Sequence, residues 1–242
     1  MLQVKQAIKE IPAKALPKLE ALQHCAAPLV IRGLVDNWPL VIEARQSLVA
    51  AASYVQQFCQ HKPVQAFFAP PDSQSRFFYS EQMDGLNFTQ QQTTLEQVLE
   101  RILSQTDTEH KTACYMGSTT LDYCAPGMSQ YHSLPLTLPQ PLVSLWVGSE
   151  TKVVAHYDVP DNIACVASGR VNARIGAAHG NQHAAGHNRG HTATCANVRQ
   201  QFIAGAHLRI FLQAIPHFVT EMVQFDLVGF KRLFQQTDTQ AH

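Results

Sequence analysis

Apolar residues recur at helical spacing through residues 1–26, with Pro12 and Pro17 marking breaks. Leu29-Val30-Ile31 is a short apolar run and predicts a buried strand, followed by a turn at Gly33 and a loop at Asp36-Asn37-Trp38-Pro39. Residues 41–61 return to helical spacing, with Ala44, Leu48, Ala51, Tyr54, Val55 and Phe58 on one face. Val64 to Phe68 predicts a strand, Pro70-Pro71-Asp72-Ser73 a loop, and Arg76 to Tyr79 a second strand. A polar stretch follows Leu86-Asn87-Phe88. Thr94 to Leu103 then predicts a helix, with Thr93 or Thr94 as its cap.

Ala113 to Met116 predicts a further strand. Residues 121–141 hold four prolines and predict an ordered loop. Val143 to Val147, Val153 to Tyr157 and Ile163 to Ala167 predict three successive strands. Helices first and then many short strands imply an α+β protein built on a β-sandwich or jelly roll. No internal repeat is visible.

The chain of 242 residues is long enough for one domain with a full core. Lys+Arg and Asp+Glu both total 18, so charge makes no case for a nucleic-acid or membrane partner. No apolar run reaches the roughly 18 residues that span a bilayer, and the N-terminus lacks the apolar core of a signal peptide. The expectation is a cytoplasmic protein. Cys25, Cys59, Cys114, Cys124, Cys165 and Cys195 form no C-x-x-C pair and read as buried small hydrophobes.

After Arg170 the chain changes character. Between Asn162 and Thr220 there is no Asp, Glu or Lys, and the charged residues are Arg170, Arg174, Arg189, Arg199 and Arg209. Residues 176–201 have neither helical nor strand periodicity. Three readings stay open. The histidines His179, His183, His187 and His191, with Cys195, recur every four residues and suit a metal-binding tract, although Gly180, Gly186 and Gly190 weaken any helix there. The segment can instead be a solvated loop that buries too little to order itself. Or the residues after about position 170 are translated out of frame.

The strongest chemistry lies in LWVGSETKVVAHYDVPDNIACVASGR, residues 145–170. His156 and Asp158 stand at i and i+2 and share a face on a strand. An imidazole and a carboxylate so placed can grip one metal ion, and a second histidine would complete a 2-His-1-carboxylate triad suited to non-heme Fe(II). The bland alternative is a His–Asp hydrogen bond in a sheet core. Asn162 reads equally as a turn residue, and Tyr115 as a core tyrosine. Asn87-Phe88-Thr89 matches a glycosylation acceptor that carries no weight in a cytoplasmic chain.

With the blocks PLVIRGLVDNWPL and RFFYSEQMDGLNF, this segment resembles the cupin-like, JmjC-type 2-oxoglutarate oxygenases over residues 28–170. The resemblance implies a double-stranded β-helix (a cupin or jelly roll), preceded by N-terminal helices (1–27) and followed by an atypical tail (171–242) that leaves it incomplete. It implies Fe(II) as cofactor and 2-oxoglutarate and O2 as co-substrates. His156 and Asp158 would be metal ligands, and Tyr115 and Asn162 would line the co-substrate pocket. It further implies hydroxylation of a protein side chain or an RNA base, and a homodimer joined by C-terminal helices.

Three positions depart from the family pattern. Val171 stands where a Lys or Arg pairs with the distal carboxylate of 2-oxoglutarate, and Val153 where a Thr or Ser is frequent. No P-x-x-W-W-H motif supplies the third ligand, for which His217 is the nearest candidate. The alternative function is a non-catalytic remnant or binding module that keeps the shell.

Overall fold

A computed structural model describes residues 8–23, 28–105, 111–137, 141–153, 162–170 and 209–215. In chain order they form β1 (Lys9–Pro12), α1 (Leu19–Gln23), β2 (Leu29–Arg32), α2 (Pro39–Gln46), α3 (Leu48–Gln56), β3 (Pro63–Ala69), β4 (Arg76–Phe77) and β5 (Thr89–Thr94). Then come α4 (Leu95–Ser104), β6 (Ala113–Thr120), α5 (Leu121–Cys124), β7 (Leu142–Gly148), β8 (Lys152–Val153), β9 (Ile163–Ser168) and β10 (Arg209–Ile215). The mixture is α+β, as the pattern predicts. No helix among the described residues is long and apolar enough to cross a membrane.

Six strands make one antiparallel sheet in the order β5-β3-β6-β7-β10-β9. Two short parallel ladders, β1 with β2 and β4 with β8, flank it. Strand alternation gives the sheet two unlike faces. Val64, Ala66, Cys114, Met116, Leu145, Val147, Cys165 and Ala167 share one core with Leu40, Val41, Ala51, Val55, Leu95, Leu99 and Leu121 of the helices. Phe67, Ala69, Ala113 and Tyr115 take the opposite side and pack with Phe77 and Phe88.

Several elements differ from expectation for identifiable reasons. Residues 9–12 are a strand, not a helix. Pro12 bars its predecessor from the α region, and β2 offers a ladder that the Glu10 carboxylate tightens by accepting a two-pronged bond from Arg32 (2.9 and 2.6 Å). The helix expected over 41–61 is two helices, because Ser47 is extended and its Oγ accepts from Ala50 N–H, capping α3. The polar TQQQTT stretch is β5, an edge strand whose exposed glutamines carry no apolar alternation to read. Part of the proline-rich loop is helical, at α5 and in a 3-10 turn at Met128–Tyr131. At α4 the cap is Thr94, with Gln97 closing a reciprocal capping box.

Within 171–242 the described residues are 209–215, and they form β10, hydrogen-bonded to β7 on one side and β9 on the other. The His-rich tract and His217 lie outside the described residues.

One buried polar side chain joins the helical layer to the loop after α5. His132 Nδ1 donates to the Met128 carbonyl (2.8 Å), so the ring is the tautomer whose Nε2 is an acceptor. That Nε2 receives Leu40 N–H (3.4 Å) in the first turn of α2, where Trp38 provides no side-chain cap. The ring stands edge-on to Trp38 and Tyr54 at 5.2 and 5.7 Å. Burial pushes the His132 pKa down, because the charged ring loses its hydration.

The sign of the pH effect follows. The unfolded chain takes up the proton more readily than the folded one. The contribution of His132 is therefore fully present above its unfolded pKa of about 6.5 and is lost as pH falls below it. Between about pH 8 and pH 5, the urea midpoint of the native chain should fall more steeply than that of His132→Gln. Parallel pH profiles would refute this assignment.

Candidate functional site

The face of the sheet turned away from the helices carries an unusual combination of side chains. Tyr115 of β6 lies directly opposite Phe67 of β3 and Gly148 of β7. Its ring is 6.0 Å from Phe67, 5.8 Å from Phe77 and 5.7 Å from Trp146. Phe88 closes the cluster, 5.6 Å from Phe67 and 5.3 Å from Phe77. Each such pair contributes about 0.5–1.5 kcal/mol beyond area burial, so the rings form a cooperative wall. A Cβ at Gly148 would be in ordinary van der Waals contact with Thr151 Oγ1 and Tyr115 Cδ2, both at 3.4 Å, so the tyrosine ring lies against β7 at this position. Ser149 fixes that end of the β6–β7 pair: its N–H donates to the Cys114 carbonyl (2.9 Å) and its Oγ accepts from Cys114 N–H (3.0 Å).

The same face gathers polar groups that water does not reach. Leu145 and Val147 belong to the helix-side core, so Ser144 and Trp146 point the other way. Ile163, Cys165 and Ala167 do likewise in β9, which turns Ala164, Val166 and Ser168 to the aromatic side. Asn162 precedes β9 and continues that alternation. Ser144, Asn162 and Ser168 are 1, 2 and 1 % exposed. Apart from His132 they are the buried polar side chains among the described residues. Buried polar groups cost free energy unless something satisfies them, so a face that collects them is chemically distinct from a core.

Tyr115 and Asn162 thus share a face but not a position on it. Tyr115 is level with Gly148, while Ile163, next to Asn162, is level with Ala214 and Val143. That offset of about five to six residues is roughly 20 Å along the strands. His156 and Asp158 lie outside the described residues. The chain is described up to Val153 in β8 and again from the buried Asn162. Val153 is 46 % exposed and pairs with Phe77, itself part of the aromatic wall. Among the described residues no three His, Cys, Asp or Glu side chains converge.

The sequence reading missed Phe67, Phe77, Phe88, Ser144 and Ser168. Phe67 and Phe68 are adjacent and both apolar, so alternation alone cannot assign them to faces. Ser144 and Ser168 do carry a signal, a small polar residue inside an otherwise apolar strand.

A family model described as the cupin-like domain matches residues 17–172. A comparison with curated proteins returns no match.

The described cysteines take no part in this face's chemistry. Burial pushes the thiols of Cys59, Cys114 and Cys124 up to about 12. Near pH 8 that leaves on the order of a thousandfold less thiolate than in the unfolded chain. Mass-mapped alkylation should therefore leave Cys114 and Cys124 unlabelled in the native protein and label both in guanidinium. Equal labelling in the two states would contradict the burial.

Proposed function

The chain belongs to the cupin-like domain family, and from that premise we propose that it is an Fe(II)- and 2-oxoglutarate-dependent hydroxylase of the JmjC type. The observation that carries this reading is the aromatic face with its buried Ser144, Asn162 and Ser168. Small buried polar groups beside an aromatic wall, on the face away from the aliphatic core, suit a small polar ligand held out of water. On this reading the six-stranded sheet is one wall of a double-stranded β-helix.

The described residues suit one of the two groups the reading requires, the co-substrate; the residues proposed to hold the metal lie outside them. The aromatic wall gives a dry boundary, and the buried hydroxyl and amide groups suit a ligand rich in oxygen. Bound iron and 2-oxoglutarate supply the oxidation, in which decarboxylation to succinate and CO2 by O2 is coupled to hydroxylation of a C–H bond. The chain's own residues hold and orient. His156 offers an imidazole and Asp158 a carboxylate at i and i+2 of one segment. Tyr115 serves as an O–H donor from the wall, and Asn162 as an amide at the buried start of β9. Their separation along the sheet is longer than a 2-oxoglutarate molecule, so on this reading one of the two, not both, touches the co-substrate. The substrate is a protein side chain or an RNA base, and the assembly is a homodimer.

A second reading, a binding module or remnant without catalysis, draws on specific positions. Val153 offers an exposed isopropyl where the family pattern has a hydroxyl, and Val171 offers no charge for a distal carboxylate.

The two readings separate in one assay. Incubated with Fe(II), ascorbate and 2-oxoglutarate, the enzyme produces succinate. His156→Ala should abolish it, and Tyr115→Phe should lower kcat/KM roughly tenfold, the cost of one hydrogen bond of about 1.4 kcal/mol. If succinate never exceeds a no-protein control, the hydroxylase reading fails and the binding module stands.

A further inference from the structure

We propose that β5 is a self-complementary edge at which two copies of this chain join, strand against antiparallel strand, about a two-fold axis through Gln91. The inference rests on the homodimer of the reading above and adds where the copies meet, at β5 and not at C-terminal helices. It needs none of the residues proposed for the metal or the co-substrate. β5 ends the six-stranded sheet, and its Thr89, Gln90, Gln91 and Gln92 are exposed. Edge strands are commonly guarded against pairing by a charge, a proline, a bulge or shortness. β5 carries none of these guards. It runs for six residues in unbroken register with β3, and no charged residue or proline lies between Asp84 and Glu96.

Two observations select a second copy as the occupant. The first is the sequence: Thr89-Gln90-Gln91-Gln92-Thr93 reads the same in both directions. Antiparallel pairing about its centre sets Gln91 against Gln91, Gln90 against Gln92 and Thr89 against Thr93 of the second copy. The second is the backbone. Pro63 stands opposite Thr94 and has no N–H, so that pair cannot exchange hydrogen bonds. Thr94 N–H instead donates to Gln97 Oε1 (3.2 Å), and the Pro63 carbonyl accepts from the Tyr123 hydroxyl (2.9 Å). Bonded and unbonded pairs alternate along an antiparallel ladder. Thr93 and Gln91 are therefore turned to β3, while Gln90 and Gln92 turn their N–H and C=O groups away from it. Those outward groups belong to the two residues that the palindrome sets opposite each other. Gln90 of one copy and Gln92 of the other can exchange both bonds, and symmetry repeats the exchange. A palindrome centred between two residues would instead have set an outward residue against an inward one. Because the pairing closes on itself, each β5 edge is used once and the assembly stops at two. Opposite residues share a face, so Gln91 lies on the side of Ala66 and the helical core. The two Gln91 amides then come within reach of a mutual hydrogen bond.

The test uses the full chain and single substitutions at exposed positions of β5. Sedimentation velocity over a wide range of concentration should show the native chain passing from monomer to dimer. Gln91→Lys sets two ammonium groups against each other and should weaken the dimer roughly fivefold. Gln91→Glu should do the same, and an equimolar mixture of the two variants should recover at least native affinity, because residue 91 then meets its opposite charge. Gln91→Cys should give an interchain disulfide on mild oxidation, located by peptide mass mapping, since an unbonded antiparallel pair brings its side chains close enough to bridge. Gln90→Cys should not cross-link to itself but should cross-link to Gln92→Cys. A native chain that stays monomeric throughout overturns the proposal and the homodimer with it. A dimer indifferent to Gln91→Lys and without a residue-91 cross-link is joined elsewhere, which overturns the β5 contact alone. Gln90→Cys cross-linking to itself as readily as to Gln92→Cys overturns the register and its axis. None of these outcomes bears on succinate production, which tests the hydroxylase reading separately.

Discussion

The two-residue period of a strand is the constraint from which the rest of this molecule follows. In β6 it sends Cys114 and Met116 into the helical core and Tyr115 to the opposite side. In β7 it does the same with Leu145 and Val147 against Ser144, Trp146 and Gly148. A slip of one residue in either register would put a tyrosine and a tryptophan under the helices and expose the aliphatic row. The helical core therefore does more than stabilise. By fixing which face is dry and aliphatic, it dictates which face is left for chemistry.

That division explains how one sheet can be both rigid and reactive. The helix side is filled by Leu40, Leu95, Leu99, Met116, Leu121 and Leu145, none of which water reaches. Each is worth about 1.5–3 kcal/mol of burial. The other side carries rings and small buried polar groups in place of an aliphatic layer. Stability and function are drawn from different faces, so a change at Tyr115 or Asn162 need not disturb the helical core. His132 sits apart from both. It is a buried polar group whose partners, Met128 and Leu40, are internal, so it belongs to the scaffold.

Legibility in the sequence followed the same physics. β2, β3, β6, β7 and β9 were readable because each contains a run of apolar residues, and α4 because its cap and apolar stripe coincide. β5 was not, because an exposed edge strand needs no apolar residue and TQQQTT offers none. β1 was hidden because its pairing with β2, about twenty residues on, outweighs local helical spacing. The residues proposed for the site divide similarly. His156 and Asp158 announce themselves by spacing, and Tyr115 and Asn162 came from the family pattern rather than from the residues alone. The aromatic partners of Tyr115 come together only when β3, β4 and the segment before β5 are brought onto one face. Nothing in their spacing along the chain encodes that.

β10 shows where composition misleads. The chain after Arg170 lacks acids and lysines and has no long amphipathic pattern, which argues against a packed fold on grounds of side-chain chemistry. A central strand, however, is held first by its backbone. Residues 209–215 pair with seven consecutive residues of β7 on one edge and with β9 on the other. Without them β7 and β9 would each present a row of unpaired N–H and C=O groups, although both strands contribute buried residues to the core. The short apolar run RIFLQAI meets that need whatever the composition of the forty residues before it. Within the atypical tail, residues 209–215 are thus held in the sheet by the demand of two neighbouring strands for a partner. It places a C-terminal segment between the strand that carries Trp146 and the strand that begins beside Asn162.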